Sequence, residues 1–222
     1  MKNTTRAEES LNRLKAGNLR FTQGLRSIHA FASEEKLRGL AENGQRPFAT
    51  ILTCSDSRLP AELLFDQGFG DLFVVRVAGN VVAPSLIASM EFAALSFQTP
   101  LILVMGHSSC GAIKAASDHV AEPNSGLTEN LRDLVSRIEP SVHRTRKLMP
   151  HLKNGDFLNE CTKLNVEHSM ETILEQSKTL RELVTSGKVE IHGAVYDLAS
   201  AKVTFMDAAE PSSNKHPKNI AV

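Results

Sequence analysis

The chain carries no excess charge of either sign. Its 25 lysines and arginines are balanced by 25 aspartates and glutamates over 222 residues, so nothing draws it to nucleic acid or to an anionic membrane. A small neutral ligand suits such a balance. Long apolar runs are absent too: stretches such as Leu101–Met105 fall far short of the ~20 residues of a membrane span. The polar N-terminus has no apolar signal-peptide core, and the sequence reads as cytoplasmic. Cysteine is scarce. Three cysteines, an odd number in a chain of this length, exclude a disulfide scaffold and leave metal or thiol chemistry to explain conspicuous ones. There is no internal repeat, low-complexity tract or linker, so residues 1–222 read as a single domain, within the roughly 250 residues that one core sustains.

What is present is an alternation of strands and helices. Residues 5–23 predict an amphipathic helix, with Leu11, Leu14, Asn18 and Phe21 at helical spacing and Gly24 as its stop. Its stripe needs a surface, either on its own domain or on a partner. A short helix over 34–42 follows, then a strand over 48–53. Pro60 opens a short helix over 61–65, and 71–77 predicts the second strand. Pro84 starts a helix through Phe97, broken by Thr99-Pro100 before a third strand over 101–105. Further helices are expected over 110–121, 127–138 and 156–185, then strands over 189–196 and 202–205. The segment from 208 onward reads as a mobile tail and residues 1–30 as a helical arm. The order predicts an α/β fold with a mostly parallel central sheet flanked by helices.

Two short motifs sit where strands give way to turns. Cys54-Ser-Asp-Ser-Arg58 follows the first strand; in extended chain Cys54, Asp56 and Arg58 share one side. Gly106-His-Ser-Ser-Cys-Gly111 follows the third, with Cys110 one helical turn beyond His107. Carboxyl ends of neighbouring parallel strands are where open α/β sheets place their sites. Taken singly, Cys54 and Cys110 are small residues that pack well in cores, and His107 is an ordinary residue at a helix start. Together, two thiolates and an imidazole suit zinc, and three protein ligands leave the fourth tetrahedral position open for water.

These motifs resemble those of the β-class carbonic anhydrases. The resemblance extends to Phe65-Asp-Gln-Gly, Val74-Val-Arg-Val-Ala-Gly-Asn80, Ser89-Met-Glu-Phe92 and Gly193-Ala-Val-Tyr-Asp197, and covers about residues 8–206. It implies one zinc ion per subunit on Cys54, His107 and Cys110, reversible hydration of carbon dioxide to bicarbonate, and a homodimer that can pair into a homotetramer. It also implies that the leading helical arm packs on the partner subunit. Phe73, Ala78 and Phe92 would line a small apolar pocket, and Gln45 would donate a hydrogen bond to a substrate oxygen.

The residues supply reasons of their own for the remaining roles. Two thiolates cancel the charge of zinc, so water there is acidified less than at a three-histidine site, and a carboxylate that accepts its hydrogen bond compensates by orienting it. Asp56 fits that part, with Arg58 fixing its rotamer and keeping it ionised. The Gly111 amide, at a helix start, is a second donor for a developing anion. Some family members carry a Trp where this chain has Ile51, forming with an Arg and a Tyr a regulatory bicarbonate pocket, and can swing the Asp onto the metal. Ile51 therefore predicts an Asp56 bonded to Arg58 and an accessible metal position. Val77 stands where an Asn is common. Cys161, on an apolar stripe, reads as packing; His119, His143, His151, His168 and His192 are scattered, any of them near the pocket mouth being suited to proton export. The rival readings are a zinc hydrolase of carbon disulfide or carbonyl sulfide and a non-catalytic zinc protein that senses bicarbonate.

Overall fold

The computed structural model describes residues 5–25, 33–123 and 126–210. Among them five strands form one sheet: β1 (Ala49–Thr53), β2 (Leu72–Arg76), β3 (Leu101–His107), β4 (Glu190–Tyr196) and β5 (Val203–Ala208), in the order β2-β1-β3-β4-β5. The first four are parallel and β5 closes the edge antiparallel to β4. Every residue of β1 and β3 is buried, as strands covered by helices on both faces require. Their side chains part with a period of two. Leu52, Ile102 and Val104 enter one core, with Met90 of α4 (Pro84–Ser96) and Met170 and Ile173 of α8 (Asn154–Gln176). Ile51, Leu101, Leu103 and Met105 enter the other, with Leu14 of α1 (Arg6–Thr22) and Leu64 of α3 (Ala61–Leu64). A third cluster gathers Ile113 of α5 (Gly111–Ala121), Val135 of α6 (Glu129–Ser136) and Val142 of α7 (Glu139–Leu148) around Cys54 and Cys110.

The surface that α1 needs is supplied by its own domain. Thr5 caps the helix by accepting from Glu8 N, and Leu11 and Leu14 are buried beside Phe65. Asn18 Nδ2 donates to the carbonyls of Leu64 and Ala201, while its Oδ1 accepts from Val203 N. The stripe assigned by resemblance to a partner is thus covered within the chain, which leaves only the outer face of α1 for another subunit. Gly17 is what lets the helix come so close: a Cβ built there would overlap Phe65 O. Gly to Ala inside a helix normally stabilises by up to ~1 kcal/mol. Here the obstacle is backbone, so Gly17→Ala is expected to destabilise by about 1–3 kcal/mol, read as a lower urea midpoint; an unchanged midpoint would place α1 elsewhere.

Other boundaries differ for identifiable reasons. The helix expected over 156–185 breaks at Ser177, whose extended backbone (ψ 104) ends α8 and whose side chain caps α9 (Lys178–Thr185) by accepting from Leu180 N. The helix expected over 127–138 is α6, and α7, not expected from sequence, follows at once. Pro140 lies in the first turn of α7, where a missing N–H costs nothing. A short helix α2 (Glu34–Asn43) precedes β1. Strand β5 runs to Ala208, and Ala209 N donates to Ile191 O, so the pairing reaches past the expected start of the tail; residues 211–222, like 1–4 and 26–30 of the expected arm, lie outside the described residues.

Candidate metal centre

The parallel pairing of β1 with β3 sets the centre. Thr53 at the end of β1 donates through Oγ1 to Met105 O, which levels the two strand ends. Cys54 follows directly, His107 is the last residue of β3, and Cys110 stands at the N-terminus of α5. The turn between the latter two passes through Ser109 at φ 55 and is held by Ser108, whose N–H donates to Tyr196 O and whose Oγ accepts from Leu198 N. As a result the ligand atoms of Cys54, His107 and Cys110 all lie within 4.8 Å of one another, in a buried group. Among the described residues no other histidine belongs to it; His119 and His192 face Glu139 and Glu190 instead.

His107 has no exposed surface. Its Nδ1 lies 2.9 Å from Ser108 O, a contact that places the proton on Nδ1 and leaves the Nε2 lone pair free. Nε2 has no hydrogen-bond partner, a costly state for a buried nitrogen. The sulfurs point the same way. Cys54 Sγ accepts from Gly79 N–H at 3.3 Å, and the amides of Ala112 and Ile113 at the start of α5 face Cys110. The contact between the two sulfurs pulls the Cys54 thiol well below its ordinary range and pushes the Cys110 thiol above it. A divalent cation held here would satisfy Nε2 and neutralise both thiolates. Two sulfurs and an imidazole at this spacing fit zinc, with bonds of about 2.0–2.3 Å.

Asp56 lies beside the group, its Oδ2 3.9 Å from His107 Nε2. Arg58 grips it with both ends of its guanidinium, Nε to Oδ1 at 2.9 Å and an Nη to Oδ2 at 2.6 Å, and its own N–H adds a third bond to Oδ1. That fork holds the Asp56 carboxyl well below the usual carboxylate range. Arg76, to which the sequence motifs assign no role, completes the frame: its Nε donates to Cys54 O at 3.2 Å and an Nη to Asp56 O at 2.7 Å. A sequence signal for it exists. Arg76 is the one charged residue of the apolar strand β2, and its register partner is Thr53.

The expected pocket residues are dispersed. Ala78 begins the turn Ala78–Asn80 whose Gly79 contacts Cys54. Gly111 opens α5 with free space where its Cβ would be. Phe73 points from β2 to α4, forming a cluster with Phe92 and Phe97 at centroid distances of 5.5–6.3 Å; Phe92 is 53% exposed. Gln45 is exposed before β1, and the strand's full length, at ~3.3 Å per residue, separates it from Cys54. Gln45 is therefore not brought to the centre of its own chain, because the strand that delivers Cys54 runs away from it. Ile51 is fully buried in the core that receives α1.

A metal-ligand cluster at the carboxyl ends of adjacent strands in an open, mostly parallel α/β sheet defines an enzyme-type site. The family model described as carbonic anhydrase matches residues 49–203. Carbonic anhydrase 2 of Mycobacterium tuberculosis is 38% identical over 199 residues, covering 87% of this chain and 90% of that protein. Among solved structures, the β-carbonic anhydrase CcaA superposes with a TM-score of 0.72 at 26% identity, covering 89% of this chain and 95% of the other. CafA of Aspergillus fumigatus, also a β-carbonic anhydrase, gives 0.70 at 26% identity, with 88% and 90% covered. The chain belongs to the β-class carbonic anhydrases, and its enzymatic activity is of that kind.

Proposed function

We propose that the chain interconverts carbon dioxide and bicarbonate with one zinc ion per subunit, held by Cys54, His107 and Cys110. The observation that carries this reading is the buried His107 Nε2, left without a hydrogen-bond partner and grouped within 4.8 Å of the sulfurs of Cys54 and Cys110. Zinc bound by three protein ligands supplies an acidified water and a Lewis acid. Asp56 would accept a hydrogen bond from that water and orient its lone pair, with Arg58 keeping the carboxylate ionised and aimed. The Gly111 N–H, at the positive end of α5, is a donor for negative charge developing on substrate oxygen. Among the apolar candidates, Ala78 opens the turn that contacts Cys54; Phe73 and Phe92 lie in the aromatic cluster at α4.

A homodimer accounts for two features of the chain by itself: the exposed Phe92 on α4, and a Gln45 too far from its own centre to serve it. In such a dimer Gln45 of one subunit donates to substrate at the other's centre, and two dimers can pair into a tetramer. The cytoplasm is the compartment proposed, because thiolate ligands stay reduced there; no helix among the described residues is long and apolar enough to cross a membrane.

The test is stopped-flow hydration of carbon dioxide on protein whose zinc has been quantified. About one zinc per chain and a rate well above buffer are expected. Metal-free protein that hydrates carbon dioxide equally fast would overturn the assignment, and preferential turnover of carbon disulfide or carbonyl sulfide would move it to a different substrate.

A further inference from the structure

The turn that contacts Cys54 is held from behind by α8. Gly79 and Asn80 both have left-handed backbone, φ 71 and 44, and this carries the Gly79 N–H onto Cys54 Sγ. Two residues of α8, four apart and therefore on one face of the helix, fasten the carbonyls of this turn. Asn165 Nδ2 donates to Gly79 O at 2.9 Å and Ser169 Oγ to Asn80 O at 3.0 Å. Both are buried, at 1% and 2% exposure. The far side of the turn is closed by Ile138, whose Cδ1 lies 2.7 Å from where a Gly79 Cβ would be, so the peptide is clamped between α8 and the link joining α6 to α7.

The polar groups gain little from this arrangement for their own sake. Asn165 Oδ1 and Asn80 Nδ2 are buried with no hydrogen-bond partner, a pattern that stability alone disfavours and that points to function. An N–H directed at a thiolate draws electron density from sulfur and so reduces what the sulfur gives to a metal. Second partners of this kind tune metal centres as much as the ligands do.

We propose that Asn165 and Ser169 are positioning residues: by anchoring the Gly79 and Asn80 carbonyls they fix the Gly79 N–H on Cys54 and set the charge that this thiolate donates to a bound divalent metal. The proposal rests on the metal reading above. Loosening the anchor lengthens the N–H to sulfur contact and raises the energy of the sulfur lone pairs. It follows that sulfur-to-metal charge transfer moves to lower energy.

The experiment uses the full chain loaded with cobalt(II), whose thiolate charge-transfer band reports on the sulfurs directly. Asn165→Leu, similar in volume but without the donor, is expected to shift that band to longer wavelength and to lower the zinc enzyme's hydration rate about tenfold, the low end of the range for outer partners. Ser169→Ala shifts it less, and Ser169→Thr, which keeps the hydroxyl, restores it. Ile173→Val on the same helix is the control for loosened packing and leaves the band in place. A wild-type band in folded Asn165→Leu overturns the proposal; should that variant not fold, a wild-type band in Ser169→Ala overturns it instead. Failure of the wild-type chain to take up cobalt or zinc sinks the metal reading itself, a separate outcome from an unmoved band.

Discussion

Cys110→Ser is expected to leave a folded chain that no longer retains metal after dialysis and hydrates carbon dioxide at or near the buffer rate. Cys110 is a buried member of the cluster with Ile113, Val135, Ile138 and Val142, and the nearly isosteric change of an oxygen for sulfur alters that packing little. The ligand set suffers far more. Zinc held by a few protein ligands is bound by roughly 10–16 kcal/mol, so each of three contributes on the order of 3–5 kcal/mol, about two to four decades of affinity. The alcohol of serine stays protonated near neutrality and does not replace the thiolate. Metal analysis and circular dichroism on the same sample check both halves: full zinc occupancy in the variant would remove Cys110 from the ligand set.

Asp56→Ala is expected to do the opposite, retaining zinc while losing about 10²–10⁴-fold in hydration rate, the range for a positioned acid or base. Its carboxylate is held by Arg58 through three bonds and lies 3.9 Å from His107 Nε2, outside hydrogen-bond reach of it, so affinity for metal is not its business. Equal rates in variant and wild type would refute the role. The sign of its pH dependence is also fixed. Arg58 lowers the folded-state pKa of Asp56, so the stabilisation from this pair is complete above the unfolded value of about 3.9. It is lost only as pH falls through the lower, folded value. Arg58 is well exposed, and solvent weakens the pair's contribution to stability. Within several units of neutrality Asp56 stays ionised, and any acid limb in the rate must arise from another group.

Much of this is legible in the chain itself. Strand β3 begins as a continuous apolar run, and β1 is buried throughout, its threonines included, as parallel strands covered on both faces require; the ligand motifs sit at their carboxyl ends, where a thiol and an imidazole can meet. Where reading fails, the cause is tertiary. Nothing in the local pattern of 156–185 reveals that Ser177 leaves the helix to cap the next one, and Pro140 conceals α7 by looking like an interruption when it opens a helix. Arg76 and Asn165 have their effects through carbonyls of residues distant in sequence, a contact that no spacing encodes. Gln45 illustrates the converse: nine positions from Cys54 in sequence, it ends at the opposite end of the strand.

Arg76 also bears on how errors spread through the centre. One rigid, planar group spans the peptide carbonyls of Cys54 and Asp56, so the sulfur donor and the carboxylate share a single mechanical reference. Displacing one displaces the other in step. Damage at Arg76 is then expected to couple lost metal retention to lost turnover, and a double substitution with Asp56 should cost less than the sum of its parts. Replacement by lysine, a single ammonium without a fork, leaves one of the two carbonyls untethered, so charge alone is not what the position selects.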